Sequence, residues 1–205
     1  MNLPARKLES RDRPPVALRD RAMDNLRYIR ETMERSASFT HVSGLGGVAM
    51  GLTALVASGV ATQAASEAAW LAVWLSAAAL SFAVATFAMA RKSRAEGVPL
   101  LSGPGRRFAS SMTPTLVAGA ALTGGLARGG LFELLPATWL LLYGASIVTG
   151  GSYSVRPVPL MGAAFMLAGV LALVSPPAWG DFYMAGAFGG LHIVFGIVIW
   201  RKHGG

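Results

Sequence analysis

The apolar positions of this chain gather into six long runs, approximately Val42–Ala61, Ala68–Ala90, Ser110–Ala127, Leu134–Gly151, Val158–Val174 and Phe182–Trp200. A bilayer core about 30 Å thick is crossed by roughly 20 helical residues at about 1.5 Å each, so each run is near the required length. None holds Lys, Asp or Glu in its interior, and Arg128 stands just at the end of the third. The runs are continuously apolar and do not alternate, which fits helices and not the strands of a membrane barrel. The pattern predicts an all-α, polytopic integral membrane protein with six transmembrane helices in three hairpins. The third, fourth and fifth spans are short and are expected to tilt little or to extend into the interface.

A different pattern precedes the first run. Residues 1–15, with Pro4, Pro14, Pro15 and mixed charges, read as a disordered basic N-terminus. From residue 16 to 38 the periodicity turns helical: Leu18, Ala22, Leu26, Ile29 and Met33 fall on one stripe. The opposite face offers the pairs Arg27–Glu31, Arg30–Glu34 and Glu31–Arg35, each worth about 0.2–0.5 kcal/mol. An amphipathic helix beside a membrane commonly lies in the interface with its apolar face down. The functional alternative is a docking helix for a membrane or cytoplasmic protein partner, or for a second copy of the chain. The chain is thus expected to comprise the N-terminus (1–15), a cytoplasmic amphipathic helix (16–38) and a six-helix membrane domain (39–205).

Charge orients this arrangement. The net charge is +8, and in a soluble protein such an excess would suggest a nucleic-acid partner. Here 17 of the 18 basic residues lie before the first run, between the second and third, between the fourth and fifth, or after the sixth. The intervening loops hold Arg128 with Glu67, Glu133 and Asp181. Lys and Arg concentrate in cytoplasmic loops, so both termini are expected on the cytoplasmic side. The basic excess then reflects topology and attraction to anionic headgroups, and no nucleic acid is expected as a partner. The first apolar run begins too late for a usual signal peptide, and none is expected. Cysteine is absent, which removes disulfides, thiolate metal sites and cysteine nucleophiles.

Candidate chemistry is sparse. The Leu101–Arg107 segment is rich in Gly and Pro but lacks the Lys–Ser/Thr ending of a phosphate loop, so it reads as a cytoplasmic turn. The small-residue pairs Gly47/Gly51, Ala120/Gly124 and Gly186/Gly190 let helix backbones approach closely. Internal packing is their ordinary use, and a homo-oligomer interface is the alternative. His192, near the middle of the sixth run, is the one histidine at membrane depth, where an ionisable side chain is a functional-site candidate by default. It is expected to face inward toward a hydroxyl or a backbone carbonyl, with Ser146, Thr149, Tyr143 and Thr53 as candidates. A structural histidine held by one interhelical hydrogen bond is the competing reading. His41 and His203 lie too near the span ends to join His192 as haem ligands, and no cofactor or metal site is expected.

Gly144-Ala145-Ser146 in the fourth run and Leu191-His192-Ile193-Val194-Phe195-Gly196 in the sixth resemble elements of the rhomboid intramembrane proteases. That family pairs a serine nucleophile in a Gly-x-Ser-Gly motif with a histidine base. This chain departs from it: Ile147 replaces the last glycine, the first loop is short, and the second span lacks the His/Asn oxyanion residues. The topology also puts Ser146 toward the cytoplasm. A broader likeness rests on Asp24–Arg30, on Leu100–Arg106, and on Gly189–Gly196 followed by the basic tail. In these segments the chain resembles a group of small uncharacterised bacterial inner-membrane proteins, which implies six helices and supplies no activity. The leading expectation is a non-enzymatic membrane component, a partner or regulatory subunit without catalytic residues. The second is a small transporter or channel with His192 in the pathway, and the third an intramembrane hydrolase using Ser146 and His192. A water-filled cavity at His192 would favour transport; a dry, packed bundle would favour the first.

Overall fold

The computed structural model describes residues 15–36 and 39–203, with side chains described at 20–29, 32–33 and 39–203. The chain divides into two units, Met1–Ala37 and Ser38–Gly205. In the first, helix α1 covers Pro15–Ser36 and opens on proline, whose missing N–H is no loss in a first turn. Met23, Leu26, Ile29 and Met33 are exposed on it. The expected disordered residues 1–14, residues 37 and 38, the side chain of Leu18 and the pairs Arg27–Glu31, Arg30–Glu34 and Glu31–Arg35 lie outside the described residues.

The second unit holds α2 (Gly44–Ala61), α3 (Glu67–Glu96), α4 (Gly103–Arg128), α5 (Leu135–Gly151) and α6 (Pro157–Val174). A final composite helix joins α7 (Gly180–Met184), a π-helical stretch (Ala185–Leu191) and α8 (His192–His203). Among the described residues the only extended pairing is one isolated bridge between Phe39 and Ser154. Helix boundaries follow local chemistry. The hydroxyls of Ser43 and Ser66 accept from the amides of Gly46 and Ala69 and cap α2 and α3. Gly97, at φ 65°, takes the left-handed conformation that ends α3.

Among the described residues, five segments are long and apolar enough to cross a membrane: Gly44–Ala61, Glu67–Glu96, Phe132–Gly151, Pro157–Val174 and Pro177–His203. They coincide with five of the six expected spans. The remaining one, Ser110–Ala127, lies inside α4, which has 26 residues but is more polar. Arg106, Arg107, Ser110, Ser111, Thr113 and Thr115 crowd its first half. Several of its hydroxyls bond carbonyls of the same helix, Thr113 to Ala109 at 2.8 Å and Thr123 to Gly119 at 2.7 Å, which shields them locally.

The helices pack through two seams of bare backbone. In the first, α2 meets the composite helix. A Cβ at Gly51 would come 2.6 Å from the Gly189 carbonyl oxygen, one at Gly196 would come 2.8 Å from the Gly44 oxygen, and Gly44 has no room beside the Trp200 backbone. In the second, α5 meets α6. A Cβ at Gly144 would lie 2.7 Å from the Met166 nitrogen, one at Gly162 would lie 2.7 Å from the Gly144 oxygen, and one at Gly169 would lie 2.9 Å from the Leu141 nitrogen. Each helix contributes glycines seven residues apart: 44 and 51, 189 and 196, 144 and 151, 162 and 169. Helix α3 lies on α2, where Gly46 faces Ala88, and α4 lies on α5, where Gly150 faces Met112. Large apolar side chains including Leu52, Phe82, Phe87, Leu160, Leu167 and Phe182 point outward. Small residues inside and large ones outside suit a hydrocarbon surrounding.

Two sets of contacts define the ends of this unit. At one, the Phe39 amide donates to Tyr153 O at 2.6 Å and the Ser154 hydroxyl to Phe39 O at 2.7 Å, while Phe39 stacks on Phe108. Lys92, buried there, donates to the His203 carbonyl at 2.7 Å. At the other, the Trp70 indole donates to Asp181 and the Trp139 indole to Thr123 Oγ1, at 2.8 and 2.7 Å. Of the described basic side chains from α3 onward, only Arg128 lies near the second end.

The seams make opposite predictions for glycines of similar sequence context. Gly162→Ala drives a Cβ into backbone and is expected to lower stability by about 1–3 kcal/mol. Gly124 has nothing within 4 Å of its Cβ direction, so Gly124→Ala is expected to be neutral or to stabilise by up to about 1 kcal/mol. Thermal unfolding of both variants in detergent checks this, and equal shifts would count against the seam.

Candidate functional site

His192 opens α8 directly after the π-helical stretch, and it is buried, with 4% of its surface exposed. In a π register a carbonyl pairs with the amide five residues on, and the His192 side chain reaches back to the carbonyl four residues before it. Here His192 Nδ1 lies 2.9 Å from the Phe188 carbonyl oxygen, and Nε2 lies 2.8 Å from the Tyr143 hydroxyl. A carbonyl only accepts, so Nδ1 carries the proton it donates to Phe188; Nε2 then accepts from Tyr143. One neutral imidazole satisfies both contacts, and neither nitrogen is left over.

Aromatic rings enclose this pair. Phe165 meets His192 edge to face at 5.2 Å and Tyr143 at 4.9 Å. Phe188 stacks on His192 at 6.2 Å and packs on Phe165 at 5.1 Å. The cluster continues through Trp74, 6.4 Å from Phe188, to Trp70 and then to Trp139, stacked at 5.6 Å. Such offset and edge-to-face pairs add about 0.5–1.5 kcal/mol each beyond area burial. Trp74 Nε1, within this cluster, finds no acceptor among the described residues.

The other candidates lie around His192 without joining it. Ser146 is fully buried, and its hydroxyl donates to the Tyr143 carbonyl at 2.8 Å. The serine–imidazole hydrogen bond that a nucleophile–base pair requires is therefore not made, since His192 is engaged at both nitrogens. Thr149 Oγ1 turns to the carbonyls of Ala145, Ser146 and Ser111, which ties α5 to α4, and Thr53 bonds Ala49 O in its own helix. Of the four hydroxyl residues, Tyr143 is the one in contact with the imidazole.

The small-residue pairs divide. Gly47 and Gly51 lie in the α2 seam, 3.3 Å from the Gly196 Cα and 2.6 Å from the Gly189 oxygen as measured from an added Cβ. Gly124, Gly186 and Gly190 meet no atom within 4 Å, and Ala120 is exposed on α4. Six further seam glycines (44, 144, 162, 169, 189 and 196) are passed over by the pairs chosen on four-residue spacing, and their seven-residue spacing is the available signal.

Sequence reasoning also passes over a polar cluster at the Phe39 end. Lys92 reads as one of several topological charges, yet it is 7% exposed and also reaches Val42 O at 3.4 Å. His41 is buried beside Phe39, with Nε2 at 3.1 Å from Glu96 Oε2. A lysine in the last turns of a span is the sequence signal for such a cap. Two cavities lie at opposite ends of the unit, one of about 300 Å³ beside Trp70, Glu67, Glu133 and Asp181. The other, of about 520 Å³, lies beside Arg156, Leu160, Phe195 and Lys202. Neither reaches His192. No protein-family model, curated protein or solved structure matches the chain.

Removing the Tyr143 hydroxyl leaves a buried ring nitrogen without its donor, so Tyr143→Phe is expected to cost about 1–2 kcal/mol. Ser146→Ala, which removes only an intrahelical bond, is expected to cost about half a kcal/mol or less. Thermal unfolding in detergent ranks the two; the reverse order would mean that Ser146 is the imidazole's working partner.

Proposed function

We propose that this protein is a non-enzymatic component of a membrane, a partner or regulatory subunit that acts through a second protein. The reading has six spans, α4 being the sixth crossing, with both termini cytoplasmic. The membrane is the bacterial inner membrane, in keeping with the likeness noted above. The observation that carries the functional part is the closed centre of the bundle. His192, the one histidine at membrane depth among the described residues, has both nitrogens bonded and a wall of aromatic rings around it. A transport pathway would need a wet surface at this residue, and a hydrolase would need its imidazole on a nucleophile. The geometry supports packing instead.

Topology is supported by the ends of the bundle. Arg91, Lys92, Arg94, Arg106, Arg107, Arg156, Arg201 and Lys202 belong to the end marked by Phe39, and Glu67, Glu133 and Asp181 to the other. That bias is the one positive-inside sorting produces, and an α4 that crosses as its neighbours do is consistent with it. The docking role falls to residues 16–38. Met23, Leu26, Ile29 and Met33 are exposed on α1, and an apolar stripe of this kind binds either a membrane surface or a groove on a partner.

The chain contains no cysteine, so single cysteines report topology directly. Gln63→Cys, Gly130→Cys and Ala178→Cys are expected to react with an impermeant thiol reagent on intact cells. Leu101→Cys and Ser152→Cys are expected to react only after permeabilisation. A chain crossing five times would put Ala178 and Gln63 on opposite sides. The partner reading is tested by mild crosslinking and mass spectrometry of intact protein and of protein lacking residues 1–38. A specific partner or second copy that depends on the segment supports it. A lone monomer in both forms overturns it.

A further inference from the structure

The cavity of about 520 Å³ at the basic end lies between the first turns of α6 and the last turns of α8. Arg156, Lys202 and His203 form a cationic part of its lining, and Leu160, Phe195 and Val198 an apolar part. No acidic side chain lines it, and neither Arg156 nor Lys202 has a carboxylate partner among the described residues. Both walls change character in the same direction. On α6 the step from Arg156 to Leu160 is four residues, and on α8 Lys202, Val198 and Phe195 follow at four and three. Each wall therefore passes from cationic to apolar within about one helical turn, or about 6 Å. That is the scale on which a lipid passes from phosphate to acyl chain.

The two walls are held in place by other parts of the fold. Ser154 at the groove's edge donates to Phe39 O at 2.7 Å, which fixes the segment before α6. Lys92 donates to the His203 carbonyl at 2.7 Å, which fixes the end of α8. The exposed cations thus stand on backbone segments that are held in place. Leu160 is 64% exposed and is followed outward along the two helices by exposed Leu167 and Val194, so the apolar wall opens toward the lipid side.

We propose that this groove holds one anionic phospholipid, its phosphate against Arg156 and Lys202 with His203 at the edge, and an acyl chain along Leu160, Phe195 and Val198. Basic pockets between membrane helices on the cytoplasmic side take anionic headgroups in this way. A free phosphate would satisfy the cations but leave the apolar half of the groove unused. The inference rests on the bilayer-spanning reading given above, and the two fail separately. A protein that sediments with membranes but shows no lipid preference overturns the inference alone, whereas one that is extracted from membranes by alkaline carbonate overturns the reading.

The test uses the full chain in zwitterionic detergent, titrated with phosphatidylglycerol, phosphatidylcholine or inorganic phosphate and read by native mass spectrometry. One phosphatidylglycerol is expected to remain bound where phosphatidylcholine does not, and millimolar phosphate is expected not to displace it. Arg156→Gln with Lys202→Gln is expected to weaken binding about twenty-five-fold, each cation contributing a factor of about five. Arg156→Lys with Lys202→Arg is expected to retain it, as is Arg91→Gln with Arg106→Gln elsewhere on the same end. Should the double neutral variant not fold, exposed Arg156→Gln alone is expected to show the five-fold loss. Equal binding of phosphatidylcholine, undiminished binding by the neutral variants, or displacement by phosphate overturns the proposal.

Discussion

Everything in the membrane-length part of this chain depends on how closely two pairs of helix backbones approach. In water, helices are driven together by burying large apolar side chains, but between helices in hydrocarbon that force is nearly absent. What remains is dispersion and weak polar contact, both of which fall steeply with distance. Glycine is the residue that brings backbones near enough for these to matter. The α2 seam and the α5–α6 seam place glycine against glycine, Gly51 at Gly189 and Gly144 at Gly162, with carbonyl oxygens under 3 Å from where a Cβ would stand. The larger side chains are consequently turned outward or into the space between the two seams.

That space is where the aromatic cluster lies. Two tightly joined helix pairs cannot both close on each other through glycine, so the volume between them has to be filled by something large. Phe165 from α6, Tyr143 from α5, Phe188 and His192 from the composite helix and Trp74 from α3 fill it. Polar atoms placed there without partners cost about 1–3 kcal/mol each, and Trp74 Nε1 is such an atom among the described residues. The Tyr143–His192 contact avoids that cost for two side chains at once, and it joins the α5–α6 pair to the α2–α8 pair. Its place between the seams accounts for a histidine at this depth without any appeal to chemistry.

The helices are legible in the sequence because runs of about twenty apolar residues without charge have few other uses. The polar first half of α4 shows the limit of that signal. Serine and threonine lower its apolar character, while their hydroxyls are satisfied within the helix, as Thr113 and Thr123 are. The packing residues are less legible. A four-residue rule selects Gly47 and Gly51 correctly as seam positions but equally selects Gly124, Gly186 and Gly190, which face open space. Which glycines meet a neighbour depends on which face each helix turns inward, and local spacing alone does not fix that face. Likewise four hydroxyl residues are plausible partners for His192 from position in the sequence, and only the rotation of α5 separates Tyr143 from Ser146 and Thr149.

The polar residues outside the centre follow a related logic. Lys92 is a buried cation at the end of α3, and its ammonium meets the carbonyl of His203 at the end of α8. The C-terminal carbonyls of a helix are unpaired and carry partial negative charge, so a cation from a neighbouring helix stabilises them. Phe39 and Ser154 tie backbone groups of the segment before α2 to the loop between α5 and α6. At the opposite end, the Trp70 indole on Asp181 and the Trp139 indole on Thr123 serve as the corresponding ties. Glycine contacts fix the distance between paired helices but resist sliding along the axis only weakly, since the seven-residue repeat offers a second register one repeat away. Side-chain ties at both ends, each specific to one pair of residues, remove that ambiguity. The register of the seams is therefore set at the ends of the helices, while their closeness is set in the middle.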